Sequence, residues 1–333
     1  MNIRTLAKEI GISHMTVSRA LNGSPNVASA TRERVLARAR ELGYEIHAPA
    51  RGLAMGRTET VGILYPFHTM RRTESWYTLQ LMHGIRLALD EQKQDSIIAG
   101  YDTAEKGVED IARLLSQRKV DAVVVIGYEA PQEAVETLAS RGYRYICVNS
   151  FQDRWIEKHP RIVIDQHLGG ELAARALQRH GCSRVAAFLE ESPQFLHRLA
   201  GFERVWNDFE RVGLEDGQYE TAYQRTRLEL NNLGRSGVDG IFAGSDVSAL
   251  GVLNALQDHG VSVPDEIAVV GYDDIDAAQY SRPGLTTIHQ PRGRTAELVA
   301  RWAAGASSGS LSSGEAPFVE MLEPWEVKRG SCP

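Results

Sequence analysis

No apolar run in this chain reaches the roughly 18 residues that a membrane-spanning helix needs, so no membrane segment is expected. The N-terminal MNIRTLAKEI has no uninterrupted apolar stretch behind it, which argues against a secretory leader and for a cytoplasmic protein. Cysteine is scarce: three among 333 residues, Cys147, Cys182 and Cys332, with no CxxC spacing and no histidine cluster beside them. That excludes a disulfide framework and a thiolate metal site, and neither a cofactor nor a metal is expected. Catalytic signatures are missing too. There is no GxxxxGK followed by Ser or Thr, no GxGxxG after the first strand, no GxSxG elbow turning from a strand into a helix and no HExxH, and the ten histidines are scattered. Asp273-Asp274 could pass for metal ligands, but paired acids ending a strand serve as readily as a ligand grip beside a capping carboxylate. An enzyme is not expected.

What is present is unevenly distributed. A length of 333 residues suits two or three domains. Within a net charge of −6, residues 1–60 hold nine Lys or Arg against five Asp or Glu, a local +4 that leaves −10 for the rest. A basic head on an acidic body fits a nucleic-acid reader joined to a domain with another task.

The spacing of Ile3, Leu6, Ala7 and Ile10 predicts a first helix over Ile3–Ile10 with Asn2 as its cap. Gly11 stops it in a turn that needs positive φ, and Ser13 is expected to cap a second helix near residues 14–22. Val17, Ala20 and Leu21 then face the first helix, leaving His14, Met15, Ser18 and Arg19 outward. A third helix is expected from Ser29, its cap, to Leu42. Two helices joined by a tight glycine turn form the helix-turn-helix of DNA readers, although any small three-helix bundle shows similar patterning.

The exact residues are more specific than the pattern. Thr16-Val17-Ser18-Arg19-Ala20-Leu21-Asn22-Gly23, Val27, Thr31-Arg32-Glu33-Arg34-Val35, Glu41-Leu42-Gly43-Tyr44 and Ala50-Arg51-Gly52-Leu53 make residues 2–57 resemble the LacI/GalR family of bacterial transcription repressors. The resemblance implies an N-terminal all-α helix-turn-helix head with a hinge helix, joined to a two-lobed α/β periplasmic-binding-protein-like domain with parallel sheets. It implies a DNA-binding domain over 1–46, a hinge helix and linker over 47–57, and an effector-binding and dimerisation domain over 58–333. The lobes of the last would take residues 58–160 with 291–323, and residues 161–290.

It further implies that the second helix enters the major groove, that His14 and Met15 carry operator choice, and that Arg19 touches a base edge. The chemistry agrees. Arg19 suits guanine O6 and N7, worth about 1–3 kcal/mol of discrimination. His14 can donate or accept, and Met15 suits either a thymine methyl or a packing role. Thr16, Ser18 and Asn22 suit phosphates, beside Ser13 at the helix start. Leu53, following Arg51, matches the leucine that wedges with its dimer mate into the minor groove and kinks the duplex. Two departures stand out: Tyr44-Glu45-Ile46-His47 occupies the family's Tyr-x-Pro-Asn, with Pro49 later, and Ala28 replaces a serine.

From Val61 the pattern becomes alternating. Strands are expected at Val61–Tyr65, Ser96–Ala99, Ala122–Ile126, Tyr145–Val148, Ile162–Ile164, Val185–Leu189, Gly240–Ala243, Ala268–Val270 and Val319–Leu322. Helices are expected at Leu79–Glu91, Val108–Arg118, Gln132–Arg141, Leu172–His180, Ala200–Val212 and Val247–His259, and a Gly/Ser-rich loop over 305–314. Strands apolar on both faces argue for parallel sheets, and two series of similar size for two lobes.

Ile164-Asp165 with Gly169-Gly170, Arg198-Leu199-Ala200-Gly201-Phe202, Ser245-Asp246 with Ala249-Leu250-Gly251, and Val269-Val270-Gly271-Tyr272-Asp273-Asp274 extend the resemblance across the body. Ligands bind beyond the C-terminal ends of parallel strands, where Arg198, Ser245, Asp273 and Asn149 fall. Phe67, Trp76 and Tyr77 follow the first strand and could form a stacking wall. An Arg–Asp pair with aromatics suits a polyhydroxylated ligand; an interlobe salt bridge between Arg198 and Asp273 is the plainer alternative. The resemblance implies a homodimer on a palindromic double-stranded DNA operator, released by a small-molecule inducer such as a sugar or sugar acid. A purine-type corepressor is the alternative, and a sugar-binding or enzymatic α/β body with an unrelated helical head a distant one. A transport solute-binding protein fits the head poorly. No long heptad pattern follows the last strand, so a tetramer is not expected.

Overall fold

The computed structural model describes residues 2–44, 57–66, 76–101, 109, 113–127, 132–149, 156–305 and 317–333. The chain divides into two compact units, residues 1–60 with 113–121 and residues 61–112 with 122–333. Among the described residues no helix is long and apolar enough to cross a membrane.

In the first unit α1 (Ile3–Ile10), α2 (His14–Leu21) and α3 (Ser29–Glu41) close on Leu6, Ala7, Val17, Ala20, Val27, Val35 and Ala39. Asn2 starts α1 by accepting from the Thr5 amide at 2.9 Å, and Gly11 ends it at φ 73°. Ser13 starts α2 by accepting from the Thr16 amide at 3.1 Å. The cap expected at Ser29 is absent. Ala28 holds the extended residue before α3 and offers no side-chain acceptor, so Ser29 already lies inside the first turn. Arg38 braces α3 instead, reaching Glu9 on α1 at 2.8 Å and Glu41 at 2.9 Å.

The second unit contains two six-stranded sheets. Sheet one uses β1 (Thr60–Pro66), β2 (Asp95–Tyr101), β3 (Ala122–Ile126), β4 (Tyr145–Val148), β5 (Arg161–Ile164) and β11 (Val319–Leu322), in the order β11-β5-β4-β3-β1-β2. Sheet two uses β6 (Val185–Glu190), β7 (Glu210–Leu214), β8 (Gly240–Ala243), β9 (Ala268–Asp273), β10 (Thr286–His289) and β12 (Trp325–Val327), in the order β12-β10-β9-β8-β6-β7. The described pairings are parallel except β10 with β12. Strands β3, β4, β8 and β9 are buried throughout, as central strands with both faces covered must be.

The covering helices are α4 (Trp76–Glu91), α5 (Gln132–Ser140), α6 (Gln166–His180), α7 (Pro193–Phe202), α8 (Tyr219–Ser236), α9 (Asp246–Asp258), α10 (Asp276–Tyr280) and α11 (Arg292–Ala304). The chain crosses between the sheets three times. It passes from β5 into α6, which packs with sheet two, from β10 into α11, which packs with sheet one, and from β11 into β12.

One expected helix is corrected. Ala200–Val212 is not helical throughout: α7 ends at Phe202 and residues 210–214 form β7. β7 is an edge strand in which only Val212 and Leu214 are buried, so it lacks the apolar run that marks a central strand. α8, β10, α11 and β12 were not anticipated. The 18 residues of α8 bury only Ala222, Thr226 and Leu233, a stripe too thin to register against its polar majority. The expected helix at 108–118 lies largely outside the described residues.

α6 and α7 cross in backbone contact. A Cβ at Gly170 would strike the Arg198 carbonyl, and one at Gly201 the His167 carbonyl. This approach sets Arg198 beside Gln166. Gly170→Ala or Gly201→Ala should therefore destabilise the protein by about 1–3 kcal/mol or more through overpacking. Urea unfolding checks this: a wild-type midpoint in both variants would contradict the close approach.

Candidate functional site

On the head, His14, Met15 and Arg19 of α2 face solvent, Met15 at 55% exposure, so none of the three belongs to the helical core. Thr16, Ser18 and Asn22 are half-buried. Ser13 Oγ and Thr16 Oγ1 share a hydrogen bond at 2.9 Å, and Asn22 Nδ2 donates to Ser18 Oγ at 3.4 Å. Two cations escaped the sequence reading. Arg4 and Lys8, one turn apart on α1, line a groove of about 440 Å³ with Gly11, Ser13 and His14 at the start of α2. Both are exposed and form no ion pair among the described residues. Their charge adds to the positive end of the α2 dipole, which suits an anionic backbone. The signal was available in their i, i+4 spacing. Arg51, Leu53 and the rest of the expected hinge lie outside the described residues, as does Phe67.

In the second unit Arg198 is 2% exposed. Its Nε donates to Gln166 Oε1 at 2.6 Å and its Nη1 to the Gly244 carbonyl, while Nη2 stands 3.6 Å from Asp273 Oδ1. The guanidinium carbon lies 3.7 Å from the centroid of the Tyr272 ring. Arg198 and Asp273 both belong to the sheet-two side, so the alternative of an interlobe salt bridge does not hold.

Asp273 closes β9 at φ 117°. Gln290 Nε2 donates to its Oδ1 at 2.6 Å, and Arg292 Nη1 to its carbonyl at 2.5 Å. Burial pushes the Asp273 carboxyl up to about 6, against the pull of Arg198 and Gln290. Its neighbour Asp274 behaves oppositely. Burial raises it, but hydrogen bonds from His289 at 2.7 Å and Arg329 at 2.7 Å outweigh that and bring it to about 2. The two acids thus serve separate partners, and no group of three or more metal-ligating side chains occurs among the described residues.

Asn149 directly follows β4 at φ 60° and is 2% exposed. Its Nδ2 donates to the Tyr77 hydroxyl at 3.0 Å, while its buried Oδ1 has no hydrogen-bond partner among the described residues. Arg292 lies 6.0 Å from the Tyr77 ring centroid, so a continuous set runs from Asn149 through Tyr77 and Arg292 to Asp273 and Arg198. Trp76, expected in the stacking wall, opens α4 and is 52% exposed. Ser245 is engaged elsewhere. Its hydroxyl caps α9, accepting from the Ser248 amide at 3.2 Å and bonding Ser248 Oγ at 2.9 Å. Gln166, Gln290 and Arg292 were missed by the sequence reading; their signal was polar residues directly after β5 and β10, where the chain changes sheets.

Comparison with known proteins adds to this geometry. A profile described as bacterial regulatory proteins, lacI family, matches residues 2–46, and a periplasmic binding protein-like domain matches residues 174–332. The ribose operon repressor of Escherichia coli is 29% identical over 312 residues, covering 89% of this chain and 90% of its own length. The HTH-type transcriptional repressor PurR of Vibrio parahaemolyticus is 28% identical over 301 residues, covering 88% and 87%. A lac repressor dimer bound to operator and anti-inducer aligns at a TM-score of 0.82 and 23% identity, over 100% of this chain and 99% of its own, a likeness of fold. A LacI family regulator from Enterococcus faecium with bound ribose aligns at a TM-score of 0.67 and 25% identity, over 82% of this chain and 98% of its own. The expected helix-turn-helix head and parallel two-sheet body are both borne out.

The adjacent acids should leave opposite marks on stability. Asp274 titrates in the folded protein near 2, below an unfolded value of about 3.9, so its contribution is present above about pH 4 and lost as pH falls toward 2. Asp273 titrates near 6 when folded, so the folded state holds its proton more tightly and stability falls as pH rises from about 4 to 6. In urea midpoints measured between about pH 2 and pH 7, Asp274→Asn should remove the acid-side loss and Asp273→Asn the later decline. Wild-type pH profiles in both variants would refute these assignments.

Proposed function

The chain belongs to the lacI family of bacterial regulatory proteins, and we propose that it represses its targets through paired heads on a palindromic operator and lets go when a carbohydrate fills its body. It is a ligand-responsive DNA-binding transcriptional regulator and not an enzyme. The effector reading is supported by one observation: the buried donors and acceptors of Arg198, Asp273 and Asn149 are linked through Arg292 and Tyr77, and Asn149 Oδ1 has no hydrogen-bond partner among the described residues. A sugar hydroxyl both donates and accepts, and its C–H face suits an aromatic ring. The E. coli ribose operon repressor and the ribose-bound regulator of E. faecium support a sugar.

On the DNA side, Arg19, His14 and Met15 would meet base edges, and Arg4, Lys8, Ser13, Thr16, Ser18 and Asn22 the phosphates. Arg51 and Leu53 would engage the minor groove at the operator centre. A partner of this kind places its work in the bacterial cytoplasm.

A thermal-shift panel of pentoses, hexoses, sugar acids, polyols and purines tests the effector. A bound sugar at 100 times its Kd should add about 2.7 kcal/mol of stability. Arg198→Ala, and the gentler Asp273→Asn, should abolish that shift and the release from operator while operator binding persists. A protein moved by purines and by no sugar would overturn the carbohydrate reading. Leu53→Ala should weaken operator binding with the sugar shift intact, and Arg19→Ala should weaken it by about 1–3 kcal/mol, both read in a fluorescence titration. Unchanged operator affinity in either variant would remove that residue from the interface.

A further inference from the structure

Arg198 and Asp273 are joined a second time, through two glutamines. Arg198 Nε donates to Gln166 Oε1 at 2.6 Å, Gln166 Nε2 donates to Gln290 Oε1 at 3.2 Å, and Gln290 Nε2 donates to Asp273 Oδ1 at 2.6 Å. The direct approach of Arg198 Nη2 to Asp273 Oδ1 is longer, 3.6 Å. Gln166 is 1% exposed and Gln290 fully buried. The ends dictate the direction of the chain. A guanidinium has only donors and an ionised carboxylate only acceptors, so both amides must run head to tail between them.

The glutamines also mark two of the three crossings. Gln166 opens α6, separated from β5 of sheet one by Asp165 alone. Gln290 follows β10 of sheet two directly and precedes α11, which packs in the core of sheet one. Their mutual bond therefore ties one crossing to the other. The two end bonds involve charged partners and are short; the middle bond joins neutral amides, is longest and is the weakest of the three.

We propose that Gln166 and Gln290 are positioning residues forming a directional amide relay, which clamps two crossings together while Arg198 and Asp273 keep their unliganded partners. An effector that re-engages those two side chains then acts on the crossings through the glutamines. This rests on Arg198 and Asp273 as effector anchors, the reading given above, but its test needs neither effector nor operator, so the two can fail separately.

Hydrogen exchange on the full-length protein reads the relay. Gln166→Glu keeps the acceptor for Arg198 and removes the donor to Gln290. Amides within 164–168 and 288–293 should then exchange about tenfold faster than wild type, together, with β8 unchanged. Gln290→Glu keeps the acceptor for Gln166 but sets a second carboxyl against Asp273, amid Arg198, Arg292, Asp246 and Asp274. A proton shared between the two carboxyls restores the bond in acid. Relative to wild type at the same pH, faster exchange at 164–168 should therefore appear at about pH 8 and vanish at about pH 5. A plain loss of fit would act equally at both. The relay is overturned by wild-type exchange at either crossing in Gln166→Glu, by acceleration that includes β8, or by a Gln290→Glu effect independent of pH. Should Gln166→Glu fail to fold, the Gln290→Glu pH profile alone decides.

Discussion

A guanidinium carried to 2% exposure loses several kcal/mol of hydration that only its neighbours can offset, and this constraint organises the elements around Arg198. The Arg198 neighbours come from separate elements: Gln166 from α6, the Gly244 carbonyl from the turn after β8, and Tyr272 with Asp273 from β9. None of these elements can shift alone without leaving the cation short of a partner. The glycine contacts between α6 and α7 are what bring the Arg198 backbone close enough for this arrangement. The same dry surroundings raise the Asp273 carboxyl to about 6, against the pull of Arg198.

The two units solve opposite electrostatic problems. The head leaves Arg4, Lys8 and Arg19 in water, and under the proposed DNA contacts their attraction to phosphates would gain from released counterions and fall with salt. Its stability comes from a seven-residue core and from capping groups at Asn2 and Ser13. The body buries Arg198, Asp273 and Asn149 in advance, so under the proposed effector reading a ligand would replace existing hydrogen bonds rather than water alone. Affinity on that side depends on how well the ligand matches a pre-arranged set of donors and acceptors.

Legibility followed the strength of the local signal. The head was readable because caps, glycine turn and apolar spacing all act within a few residues. Central strands such as β3 and β8 were readable because burial on both faces leaves an unbroken apolar run. α8 and β7 were not, since each buries only a few side chains against the body and otherwise shows polar residues. At the site, Arg198, Asp273 and Asn149 follow from polar residues at strand ends or on a recognisable motif. At Ser245 a strand end is also a helix start, and the serine there caps the helix. Gln166 and Gln290 lie 124 residues apart, and no local pattern announces that two amides will meet.

The three crossings bear on how the chain is made. Sheet one takes its edge strand β11 and the helix α11 from late in the sequence, beyond β6 to β10 of sheet two. β5 must therefore wait for a partner at 319–322 while every strand of sheet two but β12 is synthesised between them. During translation the head can close as soon as it emerges, whereas β5 stays an exposed edge of sheet one until β11 arrives to cover it. Neither half of the body is therefore complete until the last stretch of chain supplies β11 to one sheet and then β12 to the other.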